Sequence, residues 1–381
     1  MNSNLANQLL ASIMGWEAQD LANERAALEF MGSMKYDGYD RYMPGMRFMS
    51  SLVQWLDQFQ DKIDKDIAFD FIKKRLVFIS STQMNYLVDL LYDSKIRPDL
   101  LKKATAVLNE PSYKQSSSKV KTQFNIEKRS SLVIGLSDGA HTDILRRSAG
   151  LNNEQVLTNY YPDGKKLHDM LDELRKDDKL KEVVAPYFRS IYLIDDFTAS
   201  GKSFIRYEEE DHEFHGKLKK IIDELNAVNK EAKDGQPEEL HLSYLLDPLD
   251  TCIHLDILFC VATEKAVANI EQGLSDYLSS HTFKKEVKYK IHVVQVLEDK
   301  LSEDIKDDEE LNKVLEKKEY LDEGVVMSKS YKKGKHDKPY LGFDECALPI
   351  VLSHNTPNNS LPILWQDSKL FRGLFPRISR H

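Results

Sequence analysis

IYLIDDFTASGKS, residues Ile191–Ser203, is the stretch on which the reading of this chain turns. Ile191–Ile194 is a short apolar run of the kind that makes a buried strand. The chain then becomes polar through Asp195, Asp196, Phe197, Thr198, Ala199, Ser200, Gly201, Lys202 and Ser203, and the pattern predicts a helix directly after that loop. Small side chains at Ala199, Ser200 and Gly201 let the backbone come close to an anion. The free N–H groups of a helix start, and its dipole, favour negative charge there. Ser200 and Ser203 each add a hydroxyl donor, and Lys202 a positive charge.

The two carboxylates need a separate account, because acids beside a phosphate cradle repel the phosphate itself. At the carboxyl end of a strand, where open α/β sheets place ligands, Asp195 and Asp196 can accept hydrogen bonds from vicinal hydroxyls. They can also hold Mg²⁺, directly or through water. A sugar phosphate, with ribose 5-phosphate as the natural case, satisfies both halves. A single helix-capping Asp would explain one acid and leave the Gly-Lys-Ser unexplained. Ser200-Gly-Lys-Ser203 also mimics the end of a P-loop, but that motif needs Gly where this chain has Asp196.

Working outward, residues 3–109 carry apolar positions at three- and four-residue spacing, with Phe48, Leu52, Trp55 and Phe59 on one stripe. That predicts a helical region whose aromatics are core. Residues 110–128 are polar and serine-rich and read as a linker. Beyond it, apolar runs at 132–136, 191–194, 240–246, 253–262, 291–297 and 347–352 alternate with helical stretches at 164–178, 202–229, 263–279 and 299–318. Such alternation implies a mainly parallel sheet with helices on its faces. The runs at 240–246 and 253–262 lie too close for a crossover helix, so an antiparallel pair is expected there. The boundaries adopted are 1–115 for a helical N-terminal subdomain and 116–381 for an α/β domain with a C-terminal extension. The basic stretch 328–338 reads as a solvated loop.

Composition limits the alternatives. The chain has 381 residues, 41% of them apolar and 30% charged, with a net charge of −9. That balance does not point to nucleic-acid binding by the molecule as a whole and leaves a local basic patch open. Three cysteines without a close pair argue against a disulfide scaffold or a zinc finger. With no basic leader and no long apolar run, the expected location is the cytoplasm, with no membrane partner.

Two further segments have site character. SLVIGLSDGAHTDILRRSAG, residues 131–150, reads as a strand, a tight loop at Ser137, Asp138, Gly139 and Ala140, and a helix; His141, Arg146 and Arg147 add positive charge. ALPIVLSHNTPNNSLPILW, residues 347–365, ends a strand in His354, Asn355 and Asn358 and then reaches Trp365. Amides and a ring there suit base contact, and a turn with a buried Trp explains them equally well.

The 191–203 segment resembles the phosphoribosyl-pyrophosphate (PRPP) loop of type I phosphoribosyltransferases, and 131–150 is similar to their pyrophosphate loop. The resemblance implies an α/β fold with a mainly parallel sheet of that kind. It makes Asp195 and Asp196 the catalytic ribose-binding acids, with Mg²⁺ as cofactor held by them. Thr198, Ala199, Ser200, Gly201, Lys202 and Ser203 become the ribose-phosphate cradle, and Ser137, Asp138, Gly139 and Ala140 the pyrophosphate loop. Phe197 and Thr198 depart from the usual aliphatic residues. Ala199 stands where the 6-oxopurine enzymes carry a third acid, so the pattern is nearer the orotate type. WLDQF, SDGAHTDILRR, LIDDFTASGKS and SHNTPNNSLPILW together resemble phosphoribosyltransferase-like proteins of bacterial conflict systems, retron anti-phage operons among them. Membership implies a pentosyltransferase-like toxin effector acting on PRPP or a ribose-phosphate nucleotide. Its implied partners are a retron reverse transcriptase and its DNA–RNA hybrid, with a homo-oligomer left open. A non-catalytic module that senses PRPP or a nucleotide is the other reading.

Overall fold

The computed structural model describes residues 3–42, 47–230, 239–327, 334 and 337–377. Among these residues the strands are β1 (Val77–Ile79), β2 (Ser131–Gly135), β3 (Val156–Leu157), β4 (Ser190–Thr198), β5 (Arg206–Glu208), β6 (Glu213–His215), β7 (Cys252–Thr263), β8 (Glu286–Leu297) and β9 (Ile350–Leu352). The chain forms two compact units, one of residues 1–84 with 298–381 and one of residues 85–297. No helix among the described residues is long and apolar enough to cross a membrane.

The first unit is mostly helical. Phe48, Leu52 and Trp55 lie on helix Phe48–Asp57 with Phe59 just beyond it, and all four are buried, as their spacing predicts. The core they enter is completed by Tyr320, Leu364, Phe371 and Phe375 from the far end of the chain. The Trp55 indole N–H donates to the Ile363 carbonyl at 2.9 Å. β1 and β9 pair in parallel, Val77 opposite Ile350. This grouping differs from the division expected near residue 115: the N-terminal helices and the C-terminal residues share one core. Residues 110–128 are no linker either. Ser117 accepts the Val120 N–H and caps helix Ser118–Arg129, which packs on helix Arg97–Val107 within the second unit. The serine run supplied a helix cap. Most of the basic stretch 328–338 lies outside the described residues.

The second unit is a five-stranded parallel sheet in the order β3-β2-β4-β7-β8. Leu132, Ile134, Ile191, Leu193, Leu255 and Ile257 are among the residues of its core. Helices Gly164–Lys176, Lys217–Asn226 and Glu264–Ser280 each add an apolar face. From β2 the chain moves outward to β3 and then returns to place β4 on the other side of β2. That reversal creates a switch point between β2 and β4, the position where doubly wound sheets leave a crevice at the carboxyl ends of their strands.

Two expectations are corrected here. Residues 240–246 form a 3-10 turn over Leu242–Leu245 and no strand, so β7 has no antiparallel partner among the described residues. The buried Leu242 and Leu245 stand three apart, a helical spacing, and Pro248 follows closely. The expected helix 202–229 shrinks to Lys217–Asn226, preceded by the β5–β6 hairpin.

Candidate functional site

β4 runs past the apolar segment and carries both acids inside its ladder, since Phe197 and Thr198 still pair with Val261 and Ala262. Neighbouring strand residues point to opposite faces. Asp195 therefore shares the face of Ile191 and Leu193, yet at the end of the strand its carboxyl group still lies close enough to that of Asp196 to interact with it. Both are buried, 2% and 7% exposed. The loop after β2 reaches each of them. Ser137 Oγ hydrogen-bonds Asp195 Oδ1, while Gly139 lies so close to Asp196 that a Cβ there would stand 3.0 Å from Oδ2. The Ala140 N–H closes this loop onto the Ser137 carbonyl at 3.1 Å.

Lys217 completes the surroundings of Asp195, with Nζ 3.0 Å from Oδ2. The Lys217 and Leu218 N–H groups bond back to the Ser203 and Phe204 carbonyls, which brings the helix start to the acids. Burial pushes the Asp195 carboxyl up to about 7; Asp196 adds to the rise, and Lys217 and Ser137 oppose it. The same burial, with both carboxylates nearby, raises the Cys260 thiol, so Cys260 is no ready nucleophile. Tyr160, just after β3, has its hydroxyl pushed up to about 12 by burial, by Tyr161 and by the charge of Asp195.

No helix begins at the 199–203 loop, which corrects the expected strand–loop–helix, and the cradle must be argued from the backbone instead. Thr263 Oγ1 donates to the Ala199 carbonyl at 2.6 Å, and Asn269 Nδ2 to the Ser200 carbonyl at 2.8 Å. In a trans peptide the N–H points opposite its carbonyl. With those carbonyls turned into helix Glu264–Ser280 and its cap, the Ser200 and Gly201 N–H groups face the other way, two neighbouring donors from which an anion can accept. Gly201 has φ +73°, and a Cβ on it would stand 2.7 Å from the Ala266 carbonyl oxygen. Its glycine is set by that close packing as much as by ligand access.

The remaining sequence candidates fall as follows. Asp138 is exposed, His141 is half-buried with φ +49°, and Arg147 is paired with Asp143 one turn earlier on its helix. His354, Asn355 and Asn358 are half-buried in the first unit, and Trp365 is buried there with its indole N–H donating to the Ser360 carbonyl at 2.7 Å. Lys217, Tyr160, Thr263 and Asn269 escaped the sequence reading. Only Thr263 carried a signal: a Thr immediately before an amphipathic helix, accepting the Ala266 N–H as its cap.

Two adjacent buried carboxylates form a hard-oxygen donor set that suits Mg²⁺ shared with phosphate oxygens. A cation there would offset the burial, and the neighbouring charge of Asp196, that raise Asp195. The family model PRTase-CE matches residues 52–377. No curated protein and no solved structure matches the chain.

Proposed function

The chain belongs to the PRTase-CE family, a phosphoribosyltransferase-like family, and from that premise we propose that it binds PRPP or a related ribose 5-phosphate nucleotide with Mg²⁺ and transfers or releases the phosphoribosyl group. The observation that carries this is the meeting of the loop after β2 with the end of β4 at the switch point: Ser137 on Asp195 and Gly139 against Asp196. Asp195 and Asp196 accept the ribose hydroxyls, the amides of Ser200 and Gly201 with Ser203 and Lys202 hold the 5-phosphate, and residues 137–140 face the pyrophosphate. Mg²⁺, when bound, supplies charge neutralisation for the departing pyrophosphate. The protein's own part is to fix the ring and its leaving group in line for an oxocarbenium-like transition state. The proposal extends to a bacterial anti-phage effector of the cytoplasm, regulated by a retron-type reverse transcriptase and its DNA–RNA hybrid.

A second reading, a sensor of PRPP or a nucleotide without turnover, is favoured by one feature. Both oxygens of Asp195 are already engaged, by Ser137 and by Lys217, so ligand entry must rearrange them. Calorimetric titration with PRPP and Mg²⁺, alongside a pyrophosphate-release assay, separates the two: binding with release supports the enzyme, and binding without release supports the sensor. The double variant Asp195→Asn/Asp196→Asn is expected to lose binding while keeping its circular dichroism spectrum. Full retention of binding by that variant overturns the ribose assignment.

A further inference from the structure

The hairpin between the anion loop and Lys217 has the sequence RYEEEDHEFH, residues 206–215. About its turn three different side chains converge: Glu208, Asp211 and His215, whose ligand-capable atoms lie within 4.8 Å of one another. His215 Nε2 is 2.7 Å from Asp211 Oδ2 and 3.7 Å from Glu208 Oε2.

What distinguishes this group from a chance surface pairing is how each carboxylate is held. Arg206 Nε donates to Glu208 Oε1 at 2.7 Å, which leaves Oε2 turned toward His215. The Glu213 backbone N–H donates to Asp211 Oδ1 at 3.1 Å, leaving Oδ2 turned the same way. Metal-binding carboxylates are oriented in this manner, with one oxygen anchored by a donor and the other free to ligate. The side chains are also part-open, 25% exposed at Glu208, 46% at Asp211 and 34% at His215, so water can complete a coordination shell.

We propose that Glu208, Asp211 and His215 form a binding site for a divalent transition ion of the zinc type, separate from the acid pair on β4. One imidazole nitrogen and two carboxylate oxygens, with a position left for water, suit such an ion; Mg²⁺ prefers oxygen alone. Binding replaces the His215–Asp211 hydrogen bond with two bonds to the metal, the neutral imidazole carrying its proton on Nδ1 and presenting Nε2 as the ligand. The site also has reach. Arg206 Nη1 donates to the Lys202 carbonyl at 3.1 Å, and His215 precedes the Gly216–Lys217 step that delivers Lys217 to Asp195. A metal here staples the whole excursion from the anion loop to the acid's cationic partner.

The test uses the full-length, untagged chain stripped with a chelator, then titrated with zinc chloride in a calorimeter without any sugar phosphate. One zinc per chain is expected, with Co²⁺ substitution giving a visible d–d absorption band. His215→Ala and Glu208→Gln should each weaken zinc by about 100-fold or more, as loss of a direct ligand must exceed the 10- to 100-fold effect of an outer partner. His212→Ala, whose ring meets Tyr207 instead, should bind as the parent does. The double variant Asp195→Asn/Asp196→Asn should also keep its zinc, so a failed ribose assignment leaves this result readable. Absence of stoichiometric zinc overturns the proposal. So does zinc that survives His215→Ala in a variant with parental circular dichroism, or zinc lost with the β4 acids.

Discussion

Lys217 shows what a single side chain decides at this site. A carboxylate as buried as Asp195 is held in its charged form by few things, and the ammonium 3.0 Å away is the strongest of them. Lys217→Met is therefore expected to weaken PRPP binding about 10-fold or more at neutral pH, the scale of one charge-assisted contact; calorimetry reads it. The carboxyl also shapes stability. In the unfolded chain Asp195 loses its proton near its ordinary value of 3.8, and in the folded chain only near about 7. Between those values the folded state binds the extra proton, so this group's contribution falls as pH rises and levels off above the folded value. Asp195→Asn should flatten that part of the profile, measured by urea unfolding from pH 4.5 to 8. Both acids were legible in the sequence because a strand ending in paired carboxylates is a local pattern. Lys217 was not, since it reaches Asp195 only after an excursion through β5 and β6, and no spacing rule spans that.

Elements were legible where their signals were long and periodic. The helices near 164–178 and 263–279 and the strands containing 191–194 and 253–262 stand where their patterns put them. Short elements were lost: β3 is two residues, and β5 and β6 are three each with one aromatic apiece among polar residues, so they offered no run to find. The helix expected at residue 202 failed for a physical reason. Gly201 sits at φ +73° against the Ala266 carbonyl, which turns the chain out of the helical direction at once. Gly201→Ala accordingly strains the backbone and meets that carbonyl, and a loss of about 1–3 kcal/mol is expected. Thermal unfolding would show it, and an unchanged melting temperature would mean the loop can shift without penalty.

At the scale of the molecule, the sequence announced an α/β fold with a helical companion, and the structure has both. The route of the chain between them was hidden, because pairing of a three-residue β1 with a three-residue β9 leaves no mark in either segment. Residues 85–297 contain the sheet and its core complete. Expressed alone, they are expected to unfold cooperatively, whereas residues 1–84 alone lack Tyr320, Leu364, Phe371 and Phe375 and should show no cooperative transition. Differential scanning calorimetry of the two fragments checks both halves of that statement.

The β1–β9 ladder has one more consequence, and it concerns time. Val77 leaves the ribosome long before Ile350 is made, and domains fold in the order in which their residues emerge. During synthesis the apolar stripe of Phe48, Leu52 and Trp55 must wait, only partly covered by its near neighbours, while the intervening sheet assembles ahead of the C-terminal residues that complete its core. Contacts so distant along the chain are also slow to form. The side chains that Tyr320, Leu364, Phe371 and Phe375 cover are the last to meet those neighbours, and until then they remain apolar surface that a chaperone can bind.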